Sequence, residues 1–225
     1  MEPFPQDSKA FGTADGAKPL FRPPNIYLVG AQCTGKTTLL GALQTHFANA
    51  RNRNFHGRHV EEPGIIEEVV RKVMRDKGFD VNDIGRPDRG LELQQHHLQA
   101  QSDAEEALHD RWFISDRSGL DMIVYAKAYV GDAAAATLAD SRKWDVLRRG
   151  MRDGVVIVCE AGNTDWLSGD NVRITYESPD KWVILNEEFY HVLEEQAIGY
   201  FVLSKETTDL QQRVTFVEKA LMTCL

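Results

Sequence analysis

Apolar and polar residues follow two patterns along the chain. Short apolar runs recur at 25–30, 112–116, 154–159 and 200–203, and 58–62 is read with them as a second strand. Such runs, bounded by turn residues, predict strands, and the continuous run at 154–159 predicts one buried on both faces. Helical spacing fills the gaps. The segment 36–50 follows the first strand. Residues 65–77 place Ile65, Ile66, Val69, Val70 and Val73 at i, i+1, i+4, i+5 and i+8, one face of a helix. A long polar helix over 89–110 carries only Leu91, Leu98 and Leu108 as spaced apolar residues. Further helices are predicted at 120–130, 133–151, 181–196 and 207–221, with Ser178-Pro179 as a start signal for the third of these. Loops fall at 78–88 and 162–180. Strands alternating with helices predict a three-layer α/β/α fold around a five-stranded, mostly parallel sheet. Residues 1–24, with Pro3, Pro5, Pro19, Pro23 and Pro24, read as a flexible tail ahead of one domain over 25–225.

The turn between the first strand and the first helix carries the most specific chemistry. Gly30-Ala31-Gln32-Cys33-Thr34-Gly35-Lys36-Thr37 fits G-x-x-x-x-G-K-[ST] in full, in the strand–loop–helix context that the motif requires. Glycines at both ends let the backbone wrap so that successive N–H groups point at phosphate oxygens. The helix N-terminus behind them adds partial positive charge. Gly30, Ala31, Gln32, Cys33, Thr34, Gly35, Lys36, Thr37 and Thr38 are therefore the predicted ATP-binding residues. Lys36 is expected to reach the β- and γ-phosphates, and the Thr37 hydroxyl to ligate Mg²⁺.

Composition narrows the class. The chain has 225 residues, 42% hydrophobic and 27% charged, enough for one α/β domain. No apolar run approaches the roughly 18–20 residues that span a bilayer, and the N-terminus lacks signal-peptide character. The expected setting is cytoplasmic, without a membrane partner. Three scattered cysteines, Cys33, Cys159 and Cys224, predict reduced thiols and no zinc site. A net charge of −8 argues against nonspecific nucleic-acid binding. The charge is unevenly spread. From Gly16 to Val60 there is no Asp or Glu, while Lys18, Arg22, Lys36, Arg51, Arg53 and Arg58 fall there.

Three further constellations stand at predicted strand ends. Ligands bind at the carboxyl ends of strands in open parallel sheets. Glu62, in Glu61-Glu62-Pro63, ends the second predicted strand; it is either a base for an acceptor hydroxyl or an acidic residue facing a helix dipole. Asp116-Arg117-Ser118 ends the third. Asp116 suits a metal-holding carboxylate beside the phosphate loop, and Arg117 a planar clamp for phosphate. Asp170-Asn171-Val172-Arg173 lies in the loop after the fourth strand, where Arg173 could reach a transferring phosphoryl group. Arg148, Arg149 and Arg152 are rivals for that role. His96 and His97 on the long helix could contact substrate, but adjacent helix residues diverge, so they make a poor metal pair and read mostly as structural. Trp166, in a loop, could stack on a ring, but reads first as a satellite core residue.

In this order of motifs the chain resembles P-loop kinases of the nucleoside and nucleotide kinase type. It is most similar to the AAA-type ATPase domain related to the kinase domain of NadR, the nicotinamide riboside kinase. The resemblance implies that Glu62 is the general base, Arg117 a phosphate-side arginine, and Asp170 and Arg173 part of an Asp-x-x-Arg lid. The expected activity is transfer of the γ-phosphoryl of Mg-ATP to a hydroxyl of a nucleoside-like or other metabolite. Lys36, Glu62, Asp116, Arg117 and Arg173 would be catalytic, with Thr37 and Asp116 on the metal and the acceptor between Pro63 and His109. The alternative is a regulatory ATPase with no small-molecule acceptor. No Asn-Lys-x-Asp element for reading guanine is present: Ser204-Lys205-Glu206-Thr207 does not match. A homodimer is left open.

Overall fold

The computed structural model describes residues 21–166 and 179–225. Five strands form one sheet: β1 (Ile26–Val29), β4 (Gly64–Ile66), β5 (Phe113–Asp116), β6 (Val155–Cys159) and β7 (Phe201–Leu203), in the order β4-β5-β1-β6-β7. All four pairings are parallel. Parallel strands need crossovers, and helices supply them on both faces. The fold is α/β with three layers.

The second strand differs from its predicted position. Arg58–His59 is β3, which pairs antiparallel with β2 (Asn54–Phe55) in a separate hairpin. His56 and Gly57 turn that hairpin with φ of 51° and 77°, the left-handed pair of a type I′ turn. The sheet strand is Gly64–Ile66, taken from the start of the segment predicted as helix. Ile65 and Ile66 fit either period, because a short apolar run does not by itself separate strand from helix. The helix that follows, α2, is only Val70–Lys77.

Two other helices depart from their predicted limits. The 133–151 segment is two helices, α5 (Asp132–Ala139) and α6 (Arg142–Arg152). Ser141 starts the second by accepting a hydrogen bond from Trp144 N at 3.2 Å, an N-cap. The long helix α3 runs Pro87–Glu106, with proline in its first turn. The remaining helices are α1 (Lys36–Ala48), α4 (Gly119–Tyr129), α7 (Pro179–Glu195) and α8 (Leu210–Thr223). Phe21 and Arg22, from the segment read as tail, contact the body: Arg58 lies 5.3 Å from the Phe21 ring, and Arg22 donates to the carbonyls of His109 and Arg111.

Strand side chains alternate between two cores. Tyr27, Val29, Phe113, Val156 and Val158 face α3, α4, α6 and α7. Ile26, Leu28, Ile114, Val155, Ile157 and Cys159 face α1 and α8. The central strands are buried on both sides, so their register is strongly specified. That register brings the ends of β4, β5, β1 and β6 to one edge of the sheet.

One polar group is caught beneath the first core. Glu105 on α3 accepts from Tyr27 Oη at 3.2 Å and from Gln101 Nε2 at 2.8 Å. Burial raises its carboxyl to about 7. The unfolded chain releases this proton near pH 4.5, so between these values the native state holds more protons. Stability therefore falls as pH rises from about 4.5 to about 7, by on the order of 1–3 kcal/mol with partial solvent screening. Glu105→Gln removes the titration. In urea denaturation across that range, the wild type is expected to lose stability relative to the variant.

Candidate active site

The phosphate loop leaves β1 through a tight contact. Gly30 has φ 126°, and a Cβ there would lie 2.7 Å from the Cys159 carbonyl oxygen. Only glycine fits both demands. Cys33 and Gly35 follow with φ of 60° and 76°. These left-handed turns curl the loop over the start of α1 and aim its N–H groups inward. Gln32, Cys33, Thr34, Gly35, Lys36, Thr37 and Thr38 line the main cleft; Gly30 and Ala31 lie beneath it. Lys36 is buried, and its Nζ donates to Gly30 O at 2.8 Å, Ala31 O at 2.6 Å and Thr34 Oγ1 at 3.2 Å. Burial, then the Arg117 charge, lower its pKa; Asp116 and Asp121 pull the other way.

Thr37 Oγ1 donates to Asp116 Oδ2 at 2.5 Å. A hydroxyl and a carboxylate side by side on the cleft wall form a hard-oxygen pair that suits Mg²⁺, which takes few protein ligands and completes its shell from phosphates and water. Arg117 N donates to Leu28 O at 2.9 Å, which locks the end of β5 to β1. The Arg117 backbone has φ 82°, a costly conformation for a non-glycine residue, and it turns the side chain back over the cleft. There Nε donates to Glu68 Oε1 at 2.7 Å and Nη1 lies 3.5 Å from Asp121 Oδ1. Burial opposes the Arg117 charge; Glu68 and its acidic neighbours more than offset this and raise its pKa. Ser118 caps α4, with Asp121 Oδ2 accepting from Ser118 N at 2.8 Å. That capping box fixes Asp121 behind Arg117.

Glu68 stands where Glu62 was expected. Glu62 precedes β4 at the amino edge of the sheet, is exposed, and offers only its carbonyl, to Arg111. Its assignment as base rested on a strand ending at residue 62, and that strand is Gly64–Ile66. Two residues beyond Ile66, at the carboxyl edge, Glu68 lines the cleft with Asp116 and Arg117. Burial alone would raise its carboxyl; the Arg117 charge and hydrogen bond, with Lys36 and Arg71, hold it at about 2. Glu68 was legible only as the first acid pair after an apolar run, once that run is read as strand.

A second cavity opens beyond the Glu68–Arg117 pair, between α2, α3 and α4. Glu68, Arg117 and Gln32 line both spaces. Its deep wall is Gln94, His97 and Asp121. His97, read as structural, is one of these wall residues; burial, then Arg117, push its imidazole down to about 3, so it is neutral. Burial pushes Asp121 up to about 6 against the pull of Arg117. Asp121 Oδ1 is buried without a hydrogen bond. Tyr125 Oη donates to Gln32 Oε1 across the top of this space.

Asp170 and Arg173 lie outside the described residues. The rival arginines are engaged elsewhere: Arg148 Nη2 donates to Asp145 at 3.1 Å, Arg149 Nε to Asp145 O, and Arg152 to Gln196 O. At the other end of the cleft stand Trp166, Thr208, Leu210 and Arg213. No sequence pattern singled out Arg213, a cation in the first turns of the last helix.

Comparison with solved structures gives the same fold. A deoxyadenosine kinase from M. mycoides with bound dCTP superposes with a TM-score of 0.62 at 16% identity, covering 88% of this chain and 99% of that one. NadR in complex with NR gives 0.56 at 19% identity, over 89% of this chain and 50% of NadR. Shikimate kinase from Acinetobacter baumannii in complex with shikimate gives 0.50 at 16%, over 89% and 93%. No curated protein matches the chain. The AAA-domain family matches residues 25–213, most of the chain, and the protein belongs to that family.

Proposed function

We propose that this protein is a small-molecule kinase that transfers the γ-phosphoryl group of Mg-ATP to a hydroxyl of an uncharged, nucleoside-like acceptor. The observation that carries the reading is the Glu68–Arg117 pair, shared by the phosphate-loop cleft and the second cavity. A phosphoryl donor in one space and an acceptor in the other would meet at that pair. The fold shared with kinases supports the same reaction class.

The roles follow from position. The loop N–H groups and Lys36 hold and neutralise the β/γ-phosphates. Thr37 and Asp116 would hold Mg²⁺, which would supply positive charge against the phosphates there. Arg117 faces the phosphoryl group in flight. Glu68 accepts the acceptor hydroxyl's hydrogen bond, orients it, and takes its proton late, as the new O–P bond forms and the bond to the departing ADP breaks. Positioning and charge neutralisation do most of the work.

The second cavity supports an uncharged acceptor. Among the described residues its lining cations are Arg71 and Arg117; both pair with Glu68, and Arg117 pairs with Asp121 as well. An anionic acceptor would have to break these pairs. Gln94 and neutral His97 instead offer mixed donors and acceptors. Such a wall suits an amide or heterocyclic edge.

The test is ADP formation from Mg-ATP with a panel of nucleosides, and with carboxylated alcohols as controls. Acceptor-dependent ADP with an uncharged nucleoside-like compound is expected. ADP release that ignores every acceptor would instead favour the regulatory ATPase. With the acceptor found, Glu68→Gln is expected to lower kcat by roughly 10²–10⁴-fold, and Glu62→Gln to change it less than twofold. Equal losses in both variants would contradict the reassigned base.

A further inference from the structure

Arg213 has an unusual balance of contacts. It lies on α8 and is 4% exposed. Its Nη2 donates to Thr34 O at 2.8 Å, and its guanidinium sits 4.8 Å from the Trp166 ring centroid. Against the loop, a Cβ at Gly35 would fall 3.3 Å from Nη1. The missing side chain there is what lets the guanidinium lie on the phosphate loop. Cys159 is its remaining neighbour, and burial raises that thiol's pKa, so the thiol stays neutral. Nε is buried with no hydrogen-bond partner. Among the described residues, no carboxylate pairs with Arg213.

The contrast with the cleft's other cations is direct. Arg117 is balanced by Glu68 and Asp121. Lys36 has Asp116 and Asp121 near it. Arg213, at the far end with Trp166, Thr208 and Leu210, has a carbonyl, a ring and a neutral thiol. A buried cation without an anion is a cost to the fold unless a partner arrives. Its position sets which partner: it borders the loop at Thr34 and Gly35, on the side away from Glu68 and Arg117. A ligand whose terminal phosphate lies by Lys36 and Asp116 would bring its inner phosphate, the one next to the ribose, to Arg213.

We propose that Arg213 is the counter-ion for the nucleotide's inner phosphate, with Trp166 over it closing the base end of the cleft. The proposal rests on the nucleotide reading of that cleft and adds a binding residue to it from outside the phosphate-loop motif. The guanidinium does two things. It holds Thr34 O in the empty loop, and it turns free donors to the phosphate when nucleotide enters. Arginine suits both, since its planar fork reaches two acceptors at once.

The sign of two measurements separates this role from a structural one. In Arg213→Met the side chain keeps its length and loses its charge. The unliganded melting temperature is then expected to stay level or rise, because an uncompensated buried charge has been removed. The affinities for Mg-ATP and Mg-ADP, read by calorimetry, are expected to fall at least tenfold, and the nucleotide-induced rise in melting temperature to shrink with them. Arg213→Lys keeps the charge and is expected to recover most of that affinity. Wild-type binding of Mg-ATP with unchanged binding in Arg213→Met, within twofold, would overturn the proposal and leave the nucleotide site standing. A fall of several degrees in the unliganded melting temperature of Arg213→Met, with no recovery of affinity in Arg213→Lys, would make Arg213 a packing residue and also overturn it. A wild type that binds neither nucleotide would sink both this proposal and the reading beneath it.

Discussion

The approach of the β1 and β6 backbones at Gly30 is the constraint from which the site follows. With 2.7 Å between the Cys159 carbonyl oxygen and the place a Cβ would occupy, the chain must leave the sheet at glycine. It must also leave in a left-handed turn, because φ is 126°. The loop then closes on itself, and the Lys36 ammonium returns to the carbonyl of Gly30, six residues back. A bulkier residue at 30 would separate β1 from β6 and move every N–H of the loop. Packing of two parallel strands and shaping of a phosphate cradle are thus one requirement.

Around that loop the charges form a graded series. Asp116 meets Thr37 on the wall of the cleft. Arg117 is held behind it by Glu68 and Asp121, and Lys36 lies within reach of their fields. Buried ion pairs rarely add net stability, because desolvation consumes the Coulombic gain. Here they hold a cation in a strained backbone conformation at the junction of two cavities. A site that must neutralise a transferring phosphoryl group needs its charges fixed in advance. The folding cost of these groups is consistent with that task, and the two well-packed cores on either face of the sheet supply the stability to bear it.

The fold class, the sheet and the phosphate loop were legible because each rests on local patterns. Short, β-branched apolar runs at Ile26–Val29 and Val155–Cys159, flanked by Gly30 and Gly154, read as buried strands, and the glycine-bounded loop ending in Lys36 and Thr37 admits few other uses. The second strand was not legible in the same way. Gly64–Ile66 is three residues long, too short to show a period, and the strand was read at 58–62 instead. That slip drew attention to Glu62, at the amino edge, and away from Glu68, which lines the cleft. Asp116 and Arg117 could be picked out because their strand is longer and runs straight into a charged pair, and both line the cleft. The 63–109 stretch read as the acceptor region does supply Gln94 and His97 to the second cavity; Asp121 and Arg213 were not legible, since they come to their cavities from elements far away in sequence. Thr34 and Arg213 are bonded across 179 positions, a contact no local pattern encodes.

The most direct measurement is a crystal structure of the protein with magnesium and a non-hydrolysable ATP analogue. The account predicts that Lys36 Nζ exchanges the carbonyls of Gly30 and Ala31 for β- and γ-phosphate oxygens, and that the Thr37–Asp116 hydrogen bond opens around the metal. A nucleotide bound elsewhere, or one in the cleft with Lys36 still on those two carbonyls, would contradict it.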